Sequence, residues 1–360
     1  MAATGESLAS PALGVGRLAS ARGPAVRMAV GGFALLIAAL VLGVGLGSVA
    51  VAPADTIAIL VHRVFGLDVA ATWPASAETI VMDLRLPRVL MSMLVGAGLA
   101  VAGVTFQGLL RNPLADPYVL GTASGAALGA AIAVLLPVNV MILQFGLTQT
   151  LAFLGALISI TVVYRLSRLG ATSPMTSLLL TGYAVGSLLA AALSMAMYLS
   201  GVELRQIFDF LLGGFSGASW GRLFGSLPLI VGGAVLILLR ARTLNALLLG
   251  ESAAAHLGID VRRERAILLA LASLVTAAAV AVSGLIGFVG LVVPHVVRLV
   301  VGPSARLVLP LSALGGAVLL AYADIGSRLL GEIPVGVVTA VIGAPFFLVI
   351  LRSARAGYDG

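Results

Sequence analysis

Cysteine and lysine are both missing from this chain of 360 residues. Without cysteine there is no disulfide framework, no thiolate-held metal and no thiol nucleophile. Without lysine the phosphate loop G-x-x-x-x-G-K cannot be written, which excludes ATP hydrolysis by that route. The three histidines, His62, His256 and His295, lie far apart, and no His or carboxylate spacing suggests a metal site. The chain is therefore expected not to be an enzyme and to bind no cofactor or metal directly. Charge is also scarce: 10% of residues are Asp, Glu, Lys or Arg, where a soluble domain carries about a quarter.

What fills the chain instead is apolar. Hydrophobic residues make up 60% and the mean hydropathy is +1.16, values of an integral membrane protein. Helices of roughly 20 apolar residues cross a bilayer. Runs free of charge fall at 28–54, 89–110, 117–164, 169–202, 223–239, 266–297, 307–323 and 333–351. The third is long enough to fold back, with its turn at 137–146, and the sixth splits near Ser283 and Gly284. The expectation is an all-α polytopic protein of ten transmembrane helices, at about 28–50, 89–109, 118–136, 147–165, 175–199, 224–241, 265–282, 285–301, 306–323 and 335–352. One transmembrane domain thus spans 28–352, between an N-terminal tail (1–27) and a C-terminal tail (353–360). Glycine-rich pairs such as Gly96/Gly103 and Gly121/Gly125/Gly129 predict close helix packing.

All 21 basic residues are arginine, and the formal charge is +7. With the N-terminus placed in the cytoplasm, 15 arginines fall on that side and six outside. That bias is the positive-inside pattern, and it suits a membrane surface better than nucleic acid. Both termini are then cytoplasmic, in a plasma (inner) membrane. The arginine-led first apolar run also resembles a signal peptide ending in SVAVAPA, but it exceeds an ordinary h-region in length. It is read as a retained helix.

Ion-coupled carriers keep carboxylates inside their spans. None is expected mid-helix here: Asp324 and Glu332 fall at the outer ends of the last two spans, and Asp116 lies in an inner loop. A secondary transporter or channel is the rival reading and lacks this feature. A membrane scaffold without transport would leave the outer arginines and the inner helical insertion unexplained.

Between spans six and seven, LNALLLGESAAAHLGIDVRRER (244–265) is too short and too broken to cross. Gly250 separates two short helices and Gly258 caps the second. Leu247, Leu248 and Leu249 offer an apolar surface, while Glu251 and Ser252 open the second helix at its positive end. Helices this short need a packed partner. A surface-lying loop anchored by Arg262, Arg263 and Arg265 is the alternative.

Three stretches carry a resemblance: RLPRVLMSMLVGAGLAVAGVTFQGLLRNPLADPYVLGTASGAALGA (85–130), SGLIGFVGLVVPHVVRLVVG (283–302) and ADIGSRLLGEIPVGVVTAVIGAPFFLVIL (323–351). Together with 244–261 they resemble the FecCD-type ABC import permeases for iron-siderophores, heme and cobalamin, in order along essentially the whole chain after residue 28. The resemblance implies a type II importer permease: a homodimer in a bacterial or archaeal membrane. Two ATPase subunits, holding ATP and Mg, would serve it from the cytoplasm, and an extracytoplasmic binding protein would deliver cargo. It implies that Leu244, Asn245, Leu248, Gly250, Glu251, Ser252, Ala255, Leu257 and Gly258, within the coupling segment 242–263, meet the ATPase. It implies that Arg85, Arg88 and Arg328 dock glutamates of the binding protein; headgroup anchoring, or an internal pair with Asp83 or Asp324, is the other reading. It places Asn112, Leu114, Met175 and Thr176 at a cytoplasmic gate, although Met175 departs from the small polar residue usual there. His295 is read as structural. Met195, Met197 and Tyr198 line either the pathway or a lipid-facing stripe. The cargo is a metal chelate, a ferric siderophore first, with heme and cobalamin close behind.

Overall fold

The computed structural model describes residues 13–47, 49–67, 73–138, 140–142, 144–168 and 174–356. The chain begins with α1 (Leu13–Gly45), α2 (Pro53–Phe65) and α3 (Ala75–Thr79), and a π-helical stretch (Ile80–Arg85) runs without a break into α4 (Leu86–Leu110). Then come α5 (Thr122–Leu135), a minimal hairpin of β1 (Met141–Ile142) and β2 (Phe145–Gly146), α6 (Leu147–Ser167) and α7 (Pro174–Leu199). A 3-10 turn precedes α8 (Leu204–Leu212), which leads to α9 (Trp220–Leu239) and the short pair α10 (Ala241–Leu249) and α11 (Glu251–His256). The bundle closes with α12 (Val261–Ser283), α13 (Val289–Val301), α14 (Ala305–Leu329) and α15 (Val335–Ala356).

Among the described residues seven helical stretches are long and apolar enough to cross a bilayer, and three more, Thr122–Leu135, Val289–Val301 and Val335–Val349, are apolar but shorter. These ten follow the expected positions, yet length alone supports seven. The shortfall has a local cause at α5 and α13. The RNPLADP corner stays non-helical through Gly121, and the chain from Gly284, at φ +66°, to Phe288, at φ +68°, is irregular rather than helical. Irregular backbone at membrane depth is tolerated only where protein or a cavity covers it.

The second span is longer than its charge-free run, because the helix continues back to Ala75 through Glu78, Asp83 and Arg85. Pro87 explains the π-helical stretch: it has no N–H to offer the Asp83 carbonyl and its ring crowds that position. The wider turn is closed by the Leu86 N–H on the Val81 carbonyl instead. Burial sorts the layers. The membrane windows of α4 and α12 are 78% and 72% buried, against 17% for α1 and 11% for α7, so α4 and α12 form the centre. Glycine lets α4 touch its neighbours backbone to backbone: a Cβ at Gly103 would overlap the Gly290 carbonyl of α13, and one at Gly96 the Gly316 carbonyl of α14. The expected fold-back falls on the hairpin, with Gln144 at φ +70° in its turn.

Candidate functional site

At one end of the bundle α10 and α11 form a two-helix knob. Gly250 separates them at φ +122°, ψ +158°, a region open essentially to glycine alone. Gly258, at φ +77°, ends the second turn of helix. The knob has two faces. Leu244 and Leu247 are buried, and Leu244 rests over Gly108 of α4. The Asn245 Oδ1 accepts from the Ala305 N–H at 2.7 Å, at the start of α14, and Arg111 Nε donates to the Leu247 carbonyl at 3.2 Å. The knob is thus latched to α4 and α14. Leu248, Leu249, Glu251, Ser252, Ala255, Leu257 and Gly258 face outward, with Leu249 73% and Leu257 65% exposed.

Three residues of the expected coupling segment do not face outward. Leu244, Asn245 and Leu247 turn into the bundle, because the α10 helix aims them at the ends of α4 and α14. Glu251 accepts from Arg265 at 2.6 Å, and that contact together with the nearby Arg111 charge holds its carboxyl below the usual range.

The turn after α4 bends sharply. Arg111 caps α4 in the left-handed region at φ 46°, and the Asn112 Oδ1 accepts from the Leu114 N–H at 2.9 Å. Asn112 is exposed and Leu114 half-buried; Thr176, near the start of α7, is exposed too. The side chain of Met175 lies outside the described residues. Asp116, in the inner loop where it was expected, is half-buried, and burial pushes its carboxyl up to about 6, against the pull of the Tyr118 N–H it accepts at 2.8 Å. The Tyr118 hydroxyl donates to the Ile286 carbonyl at 3.0 Å and so pins the break before α13.

At the opposite end the three arginines come together but are engaged internally. Arg85 is 6% and Arg328 7% exposed. Arg85 donates to the carbonyls of Val44 at 3.0 Å and Gly45 at 2.9 Å, and also to that of Val49. Arg328 donates to the Gly43 carbonyl at 2.7 Å and the Leu46 carbonyl at 3.0 Å. Helix ends leave carbonyls without partners, and these guanidinium groups satisfy those of α1. Asp324 is fully buried and is paired by Arg88 at 2.9 Å and Arg328 at 3.2 Å; Arg88 also reaches Glu332 at 3.0 Å. The sequence reading put Asp324 at a helix end and Arg328 in a loop. In fact α14 continues to Leu329, because the pairing partners make burial of both charges tolerable. The internal pair of Asp324 with arginine is therefore the arrangement found, and Asp83 stays exposed.

Beside this cluster lies a polar cavity of about 670 Å³, lined by Arg88, Gln206, Asp209, Arg222 and Glu332 among others. The signal for α8 was its amphipathic run LRQIFDFLL, with Ile207 buried and Asp209 exposed. On α7, Met195 and Tyr198 are exposed, whereas Met197 packs inward near Ala196 and Ile207. His295 is half-buried, edge-on to Phe346 at 6.4 Å. Among the described residues no group of three His, Cys, Asp or Glu side chains is placed to hold a metal ion.

The model of the FecCD transport family matches residues 35–353. The chain belongs to that family. This FecCD-family chain is 47% identical over 301 residues to the cobalamin import system permease BtuC of Halobacterium salinarum, covering 83% of this chain and 79% of that protein. It is 42% identical over 284 residues to the hemin transport system permease HmuU of Yersinia pestis, covering 78% of this chain and 85% of that protein. A solved structure described as a metal-chelate type ABC transporter in an inward-facing conformation superimposes with a TM-score of 0.77 at 29% identity, over 90% of this chain and 98% of that one. The all-α polytopic architecture of an ABC transporter permease is the one seen here.

Proposed function

We propose that the chain is the membrane-spanning subunit of a binding-protein-dependent ABC importer for a bulky metal chelate. The observation that carries this reading is the knob, latched to the central helix α4 on one face and bare on the other. A pair of helices this short needs a partner, and its outward face of Leu248, Leu249, Glu251 and Ser252 suits the groove of an ATPase subunit. ATP-driven closure of two such subunits would push the knob, and Arg111 and Asn245 would pass that displacement to α4 and α14. The chain supplies no nucleotide chemistry; ATP and Mg belong to the partner.

In this reading the knob end is cytoplasmic, as are both termini, and the Arg85/Arg88/Arg328 end faces outward. The binding protein docks on that outer rim. Arg88 and Glu332 lie at its edge, and Arg85 and Arg328 act from beneath by holding α1 in place. Two copies pair through α7, whose Tyr183, Leu188, Met195 and Tyr198 are all strongly exposed. Asn112, Leu114 and the start of α7, with Met175 and Thr176, form the cytoplasmic gate near the pair's axis. The relatives named above shift the cargo from a siderophore to a corrinoid, with heme as second reading on the hemin relative.

The test is reconstitution in vesicles with the cognate ATPase and binding protein. Cobalamin uptake should require ATP and all three components, and Ala254→Pro should abolish it without altering membrane insertion. Ala254 is buried and its N–H closes on the Gly250 carbonyl at 3.0 Å, so proline breaks the second helix. Uptake without ATP or ATPase overturns the reading; ATP-dependent uptake of hemin alone replaces the cargo.

A further inference from the structure

A second cavity, of about 440 Å³, sits at the knob end among the ends of α4 and α6, the starts of α7 and α12 and the first residue of α11. Its volume is that of a small-molecule site. The floor is apolar: Phe106, Leu109 and Leu110 of α4, Leu178 of α7 and Leu269 of α12. The mouth carries three guanidinium groups, Arg168, Arg262 and Arg265, and a single carboxylate, Glu251. Arg168 and Arg262 are exposed, and Arg168 lies over the Tyr164 ring at 5.7 Å from its centre. Arg265 is bound to Glu251 at 2.6 Å, but its buried Nε has no hydrogen-bond partner among the described residues.

Apolar depth below a cationic rim, at the level where helices leave the hydrocarbon, matches a molecule with an acyl chain and a negative head. Arginine forks suit phosphate oxygens two at a time, and basic pockets between transmembrane helices hold anionic headgroups. A tyrosine in the last turn of α6 fits the same interface. We infer that this cavity binds an anionic phospholipid of the adjacent leaflet, its phosphate shared by Arg168, Arg262 and Arg265 and an acyl chain on the Phe106–Leu269 floor. Because Arg265 also holds Glu251, the lipid phosphate and the first residue of α11 compete for one guanidinium. Lipid occupancy therefore bears on the knob itself.

Native mass spectrometry of the detergent-solubilised full chain, titrated with phosphatidylglycerol or phosphatidylcholine, tests this. The readout is binding, so its outcome is independent of whether the chain imports a chelate. Phosphatidylglycerol should be retained and phosphatidylcholine not. The Arg168→Gln/Arg262→Gln variant, changed only at exposed positions, should bind phosphatidylglycerol about thirtyfold more weakly, the product of two interfacial arginine contacts. Glu251→Gln, which frees Arg265, should strengthen binding severalfold. Equal retention of the two lipids, or undiminished binding in the double variant, overturns the proposal. Displacement of the lipid by millimolar inorganic phosphate would reduce the site to a free-anion site and overturns the lipid as its occupant. No gain in Glu251→Gln overturns the shared arginine.

Discussion

Asp324 shows at the scale of one side chain how this bundle handles charge. It is fully buried between Arg88 and Arg328, and removing one partner of a buried pair strands the others. Asp324→Asn should lower stability by about 3–5 kcal/mol, whereas Glu332→Gln, whose carboxylate is 45% exposed, should stay within about 1 kcal/mol. Thermal unfolding in detergent separates the two. Asp116 behaves in the opposite sense. Its folded carboxyl titrates near 6, above its ordinary 3.8, so the folded state holds the proton more tightly than the unfolded one. Stability from this group is full below pH 3.8 and falls as pH rises through about 6. Asp116→Asn, which keeps an acceptor for the Tyr118 N–H, should flatten that part of the pH–stability curve.

For the helices, sequence legibility followed the cause of each boundary. Breaks made by glycine or by a turn were readable: the hairpin within 137–146, the split at Gly284, the corner at Gly250. Boundaries that depend on distant partners were not. The backward extension of α4 to Ala75 and the reach of α14 to Leu329 cross charged residues, and a run of charges reads as water until its counter-ions are known. Those counter-ions sit in other helices: Arg88 and Asp324 are 236 positions apart. The same blindness hid which face of α10 is free, since Leu244 and Leu248 look alike until Gly108 is seen beneath the first. α2 escaped notice because it lies between spans. Gly250 itself gives a sharp expectation. Gly250→Ala forces a side chain into a glycine-only conformation, about 1–3 kcal/mol of strain, so the knob should tilt. ATPase activity of the assembled complex should then no longer rise with the binding protein, while expression and membrane insertion stay normal.

On the scale of the whole molecule, the proposed pairing through α7 rests on a face that no other helix of this chain covers, with Tyr183 at 78% and Tyr198 at 85% exposure. Leu188→Arg on that face should convert the detergent-solubilised dimer to a monomer by light scattering, with helix content unchanged by circular dichroism. A stable dimer in the variant would place the pairing surface elsewhere. The FecCD match spans 35–353, and the layers differ: α4 and α12 hold the core, while α1 lies outside them, packed mainly along α14.

The clasp on α1 has a consequence in time. α1 is fastened by Arg85 and Arg328 through its terminal carbonyls, and the Gly43 contact joins residues 285 positions apart. Synthesis runs from the N-terminus, so α1 leaves the ribosome long before Arg328 exists to clasp it. A nascent chain halted at residue 323 carries neither Asp324 nor Arg328. Its first helix would keep Arg85 and its packing against α4 and most of α14, but would lack the second guanidinium until Arg328 arrives to complete the clasp.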